Sequence, residues 1–165
     1  MDIILIMIIA LTLMLPLYVW GTILDFRYRC LPVYMCDVIT SVISIAAWGF
    51  FIYITILAGN TTGNLLPFWM YILISIGIPV LFMKFNLCGR GDVKMIIPLL
   101  AVSYLYAFNI LVFLLIASFI FMLVKPEWFF HKEKDVSDHE KAPFMLIITI
   151  ALVIQIAFLF FTYFG

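Results

Sequence analysis

The sequence predicts an all-α protein embedded in a membrane, with one domain over residues 1–165, six transmembrane helices and both termini on the outside. The chain is 67% hydrophobic and only 11% charged, whereas charged residues make up about 25% of a typical soluble domain. Its apolar residues run in stretches of about 20, the length that a helix needs to cross a bilayer. The lipid bilayer is therefore the expected solvent, and a net charge of zero gives no indication of a nucleic-acid partner.

Four of the predicted spans are single apolar stretches, at residues 3–24, 38–58, 65–83 and 144–164. The first stretch lacks the basic residues that begin a cleaved secretory signal, and it carries Asp2 in their place. It also runs longer than the apolar region of such a signal. We therefore expect it to remain in the protein as the first helix.

A fifth apolar stretch, residues 93–124, is too long for one span and short for two. If it turns at residues 106–109, all nine Lys and Arg residues lie on one side of the membrane, in the loops 25–37, 84–92 and 125–143 or at the adjoining Lys94. A five-span arrangement would place four of the nine on the other side. Because cytoplasmic loops carry the excess of Lys and Arg, we expect six spans and a cytoplasmic charged face.

The two helices of this stretch are expected to be short. Each would have about 15 residues, or roughly 22 Å, which is less than the hydrocarbon thickness of about 30 Å. Pro98 would add a local break in the backbone hydrogen bonds of the fourth helix. We therefore expect a thin bundle here, with water reaching partway in from the cytoplasm.

The polar residues on the charged face do not form a metal-binding pattern. Cys30, Cys36 and Cys88 include no C-x-x-C pair, which argues against a zinc ribbon. His131 and His139 lie in the polar segment 125–142 without a third ligand at helical spacing. We expect this segment, which mixes basic and acidic residues, to be a solvated cytoplasmic loop.

Two aspartates lie at predicted helix ends on this face. Asp25 ends the first predicted helix and Asp92 begins the fourth, so both lie at the cytoplasmic boundary and can face each other. Two carboxyl groups that meet share a proton, and such a pair can activate water without a metal or any other cofactor. Each also has a structural interpretation, with Asp92 as a helix N-cap and Asp25 as an ion-pair partner of Arg27 or Arg29.

The residues around both aspartates form recognisable motifs. Residues 89–94 read Gly-Arg-Gly-Asp-Val-Lys, a G-x-G-D element followed by Val-Lys at a predicted helix start. Residues 25–32 read Asp-Phe-Arg-Tyr-Arg-Cys-Leu-Pro, an Asp followed by basic residues and an aliphatic-Pro pair. The arrangement resembles the type IV prepilin peptidases, including the archaeal preflagellin (prearchaellin) peptidases, which are GxGD-type membrane aspartyl proteases. The resemblance covers the six-helix layout, and the matching residues fill these two segments.

The resemblance implies an activity and a set of site residues. Its implied activity is removal of a short basic leader from type IV pilin-like or archaellin precursors at the cytoplasmic membrane face of an archaeon or bacterium. The precursor's apolar helix stays in the bilayer. A methyltransferase activity is not expected, because the cysteine-rich insert of the larger bacterial enzymes is missing. The implied catalytic residues are Asp25 and Asp92, and the supporting residues are Gly89, Gly91, Arg29, Pro32, Lys94 and Pro143.

Two other functions remain open on the sequence. One is a small proton-coupled transporter that uses the two aspartates as relay groups, and the other is a non-catalytic subunit of pilus assembly. A relay needs polar groups near the middle of the membrane, where the predicted helices are almost purely apolar. The main exception is Gln155, and weaker candidates are Ser75, Ser103, Ser118 and Thr149.

Overall fold

The computed structural model describes residues 3–28, 31–32, 34–57, 66–84, 90–103, 106–124 and 144–165, and all regular structure in them is helical. The α-helices are α1 (Ile3–Tyr28), α2 (Thr40–Leu57), α3 (Leu66–Ile72), α4 (Ile78–Lys84), α5 (Arg90–Ser103), α6 (Ala107–Val124) and α7 (Phe144–Phe164). A π-helical segment, Tyr34–Ile39, leads into α2, and another, Leu73–Gly77, joins α3 to α4. The all-α class is thus confirmed for the described residues.

In the part of the chain that the structure describes, four helices are long and apolar enough to cross a membrane. They are Ile3–Tyr28, Tyr34–Ile54, Ala107–Val124 and Phe144–Phe164, and Trp69–Phe82 is a shorter apolar helix. Large apolar side chains are exposed along them, including Leu13, Leu115 and Phe161. In water such exposure would be costly, whereas hydrocarbon solvates these side chains.

The chain divides into two compact units, Met1–Leu31 with Asn109–Gly165, and Pro32–Phe108. In the first unit, α1 packs against α7. The buried residues of α1 recur every three or four positions, at Met7, Leu11, Met14, Tyr18 and Gly21, and so line one face of the helix. Also in this unit, the rings of Phe113 in α6 and Phe158 in α7 meet edge to face, with centroids 6.0 Å apart.

The second unit is built around α5. Met95, Ile96, Leu99 and Leu100 are fully buried, and α5 contacts α2, α4 and both π-helical segments. The Tyr71 hydroxyl of α3 donates a hydrogen bond to the carbonyl of Ala101, one of the last four carbonyls of α5, which lack partners within the helix. These contacts hold α5 among its neighbours.

The helix boundaries differ from the predicted ones in two places that matter for function. The first helix continues to Tyr28 instead of ending at residue 24, so Asp25 lies inside it. The second begins at Tyr34, because the N–H groups of Met35 and Cys36 donate to the Pro32 carbonyl at 3.0 and 3.1 Å. Both predicted boundaries were set where an apolar stretch ends or begins, but helical backbone hydrogen bonds extend into the polar residues that flank it.

The predicted division of residues 93–124 into two helices is confirmed, since α5 ends at Ser103 and α6 begins at Ala107. The predicted turn at residues 106–109 is wrong for residues 107–109, which are helical, and α6 has 18 residues instead of about 15. Pro98 lies inside α5 without ending it. The third apolar stretch has the predicted extent but an irregular middle, Leu73–Gly77, just before Pro79. Proline supplies no N–H and crowds the carbonyl four residues earlier, and a π-helical turn is a common way to accommodate such a disturbance.

Candidate functional site

The carboxylate of Asp25 lies at the start of α7. The backbone N–H of Met145 donates to its Oδ2 at 3.4 Å, a long hydrogen bond. Met145 is the second residue of α7, so its N–H is one of the four that have no partner within the helix. The positive end of the helix dipole also favours a negative charge at this position. Asp25 thus links α1 to the first turn of α7.

A cluster of hydroxyl groups fixes the two helices one turn away from Asp25. The Oγ1 atoms of Thr22 and Thr149 are 2.8 Å apart. The Thr22 hydroxyl is also 3.2 Å from the Met145 carbonyl oxygen, and the Thr149 hydroxyl is 3.2 Å from the Tyr18 carbonyl oxygen, so each single O–H hydrogen has more than one acceptor within reach. Because Thr22 precedes Asp25 by three residues, the two share one face of α1. The cluster therefore positions Asp25 against the start of α7.

Asp92 lies in the first turn of α5, two residues after the helix begins at Arg90. Its interpretation as the N-cap of this helix is therefore wrong, because Gly91 and Asp92 are already helical. Asp92 is half-buried, and a carboxylate in a first turn is stabilised by the helix dipole. Asp92 thus lies within the first turn of α5, and its backbone is part of the helix.

Lys94, two residues later, forms an ion pair with Asp37 of the first π-helical segment. Their side chains are 46% and 44% exposed, so the pair contributes little to stability, roughly 0 to 1 kcal/mol. Asp37 adjoins Cys36 in the chain, Cys36 and Lys94 line the same cavity, and Asp92 lies two residues before Lys94 in α5. Two acids and one base therefore gather where α5 begins, beside the start of the second span.

Asp37 is the residue of this cluster that neither sequence motif includes. The predicted span 38–58 begins just after it, whereas Asp37 lies inside a helical segment and pairs with Lys94. The sequence did contain one indication that Asp37 forms an ion pair, because a single acid beside a long uncharged stretch needs a nearby cation. The identity of that cation, 57 residues away, is a matter of tertiary structure.

The other predicted supporting residues fall into two groups. Pro32 accepts the hydrogen bonds that begin the second span, and Gly91 is the second residue of α5. Arg29, Gly89 and Pro143 lie outside the described residues, as do His131 and His139. Within the described ranges, no three His, Cys, Asp or Glu side chains come together as a metal site.

No family model matches the chain, and neither a curated protein nor a solved structure matches it. Two carboxylates lie at helix starts, one in each unit: Asp25 at the start of α7 and Asp92 in the first turn of α5. Carboxyl groups in such places can accept a proton, donate one or orient water.

Proposed function

We propose that the protein is a membrane aspartyl endopeptidase. It removes the short basic leader from type IV pilin-like or archaellin precursors at the cytoplasmic face of the membrane, without methylating the product. The observation that carries the proposal is the placement of Asp25 and Asp92, the acids of the two sequence motifs, each at a helix start. Such positions orient a carboxylate and keep it near the polar boundary.

In the proposed mechanism the two carboxyl groups share one proton. The ionised partner removes a proton from water, whose oxygen attacks the scissile carbonyl, while the protonated partner donates a hydrogen bond to the carbonyl oxygen. Collapse of the tetrahedral intermediate breaks the C–N bond, and the leaving amine takes a proton from the dyad. The chemistry requires neither a metal nor a covalent intermediate.

The proposed topology has six spans, with both termini outside. Four spans are the long helices. The two remaining spans, the third and fourth along the chain, are the continuous helical run from Leu66 to Lys84 and α5. At 14 residues, α5 is about 21 Å long, against about 30 Å of hydrocarbon. This difference supports access of water to Asp92, which the hydrolytic step needs.

The transporter hypothesis finds less support in the polar groups of the helices. The hydroxyls of Ser103 and Thr149 donate to carbonyls four residues earlier, and Ser75 donates to Ile72. Gln155 is fully buried, and neither atom of its amide has a partner among the described residues. An amide does not titrate, so Gln155 cannot serve as a proton relay in the way that a carboxylate does.

A cleavage assay tests the proposal. Purified protein in liposomes is mixed with a panel of prepilin and prearchaellin precursors, beside the Asp92→Asn variant and the control Asp2→Asn, an acid at the other end of the first predicted span from Asp25. We expect wild type and the control to release the leader and Asp92→Asn to release none. If well-folded wild type cleaves no precursor of the panel, the peptidase proposal is refuted.

A further inference from the structure

One residue of α7, Met145, contacts the last turns of α1 with both of its backbone polar groups. Its N–H donates to the Asp25 carboxylate at 3.4 Å, and its carbonyl oxygen is 3.2 Å from the hydroxyl of Thr22. In a helix, the N–H and C=O groups of a residue point towards opposite ends of the axis. Thr22 precedes Asp25 by three residues, or about 4.5 Å of helical rise, so the two side chains can reach both groups at once. These two contacts fix Met145 along the axis of α1.

Thr22 and Thr149, the threonine pair, form the inner part of this contact. Their Oγ1 atoms are 2.8 Å apart, which is a hydrogen-bond distance, so one hydroxyl donates to the other across the two helices. The Tyr18 carbonyl of α1 is 2.9 Å from the Thr22 hydroxyl and 3.2 Å from that of Thr149. The Met145 carbonyl of α7 is 2.8 Å from the Thr149 hydroxyl and 3.2 Å from that of Thr22. Each threonine therefore reaches a carbonyl of its own helix and one of the other helix.

The threonine pair lies in a drier part of the contact than Asp25 does. Tyr18 is fully buried and Thr149 is 9% exposed, whereas Asp25 is half-buried. Hydrogen bonds are stronger where the local dielectric constant is low. The bond between Asp25 and Met145 is long, and a bond of this length is weak. The threonine pair therefore does more than the carboxylate itself to set the register between α1 and the start of α7.

The register matters because proton transfer works over a short range of distances. A general base must lie about 2.6–3.2 Å from the atom whose proton it takes. A displacement of about 1 Å, caused by a change far from the reacting atoms, can lower a rate about 10²-fold. A shift of α1 against α7 would move Asp25 by such an amount and leave its carboxyl group chemically intact.

We propose that Thr22 and Thr149 are positioning residues of the hydrolytic reaction, which hold Asp25, through Met145, where it exchanges a proton with water. This proposal rests on the proposed function. The two hydroxyls are engaged between α1 and α7, and they act on the reaction through Asp25. Their loss therefore lowers kcat and leaves KM unchanged.

Cleavage kinetics in liposomes test the proposal. Thr22→Val and Thr149→Val remove a hydroxyl and keep the branched shape of the side chain, whereas Thr22→Ser and Thr149→Ser keep the hydroxyl. We expect each Val variant to lower kcat about 10- to 100-fold with KM within about twofold of wild type, and each Ser variant to stay within about threefold of wild type. Rates are expressed per folded enzyme, measured by circular dichroism. Where a Val variant does not fold, the Ala variant at the same position, which also lacks the hydroxyl, takes its place.

The matched controls are Thr12→Val in α1 and Thr162→Val in α7. Both side chains are exposed, and their hydroxyls donate to carbonyls four residues earlier in their own helices, at 2.7 and 2.8 Å. We expect both controls to cleave like wild type. A double-mutant cycle adds Thr149→Val to Asp25→Asn. In that background Thr149→Val should lower kcat far less than in wild type, because the carboxylate that it positions is gone.

The outcomes separate the two proposals. Wild-type kcat in folded Thr149→Val, or the same fold loss in the Asp25→Asn background as in wild type, would overturn the positioning role. A raised KM at unchanged kcat would place the threonine pair in precursor binding and would overturn it as well. Failure of unmodified wild type to cleave any precursor would instead overturn the proposed function.

Discussion

Replacing Asp25 with Asn and with Ala separates its chemical role from its structural one. Asn keeps an oxygen that can accept the hydrogen bond from the Met145 N–H, whereas Ala removes the acceptor. Loss of a helix cap typically costs about 1 kcal/mol, with a range of about 0.5–2 kcal/mol. Because the bond here is long, at 3.4 Å, we expect a value near the lower end: about 0.5–1 kcal/mol for Ala and a few tenths for Asn.

The effect on cleavage, unlike the effect on stability, should be large in both variants. Neither replacement can exchange a proton with water, so both should lower kcat by roughly 10²–10⁴-fold, the usual contribution of a general acid or base. Stability is measured by denaturant titration in detergent followed by circular dichroism, and cleavage by gel densitometry in liposomes. Full activity in the Asn variant would refute the catalytic role, and an Ala variant as stable as wild type would refute the capping role.

Three further predictions concern side chains other than Asp25. Separate Thr22→Val and Thr149→Val variants should each lose about 0.6–1 kcal/mol of stability, and the double variant less than their sum, because the hydroxyls bond each other; additive losses would contradict this contact. Gln155→Leu should be stabilising by roughly 1 kcal/mol or more in thermal unfolding, because it removes a buried amide without partners; a lower melting temperature would mean that the amide is paired. Lys94→Met should change the free energy of unfolding by less than about 1 kcal/mol, because the ion pair with Asp37 is exposed. Adding Asp37→Asn to Lys94→Met should then change stability very little, since the pair is already lost. Stability changes that simply add would contradict the pairing.

The sequence predicted the features that depend on apolar length. The last helix has the predicted bounds, Phe144–Phe164. The apolar stretch there is long enough to span the membrane and contains no charged residue, so its ends coincide with the helix ends. The break between α5 and α6 was predicted from the distribution of Lys and Arg, which reports membrane topology. Helix ends in polar flanks were missed, as at Tyr28, because hydropathy reports contact with lipid and not backbone hydrogen bonding.

The candidate site was predictable only where chemistry leaves a local pattern. The G-x-G-D element predicted Asp92 as a candidate near a helix start, and Asp92 lies in the first turn of α5. The contact between Thr22 and Thr149 joins residues 127 apart, and no local pattern records such a pairing. The π-helical start of the second span is likewise a change in hydrogen-bond register, for which composition has no signature.

The most direct test of the account compares kcat/KM for precursor cleavage in wild type, Asp25→Asn, Asp92→Asn and the double variant, all in liposomes. Groups that act as one unit give strongly non-additive losses. If the two aspartates share one proton, each single variant should lose roughly 10²–10⁴-fold, and the double variant should lose no more than the worse single one. Losses that multiply, or a single variant that cleaves like wild type, would contradict a shared two-aspartate mechanism.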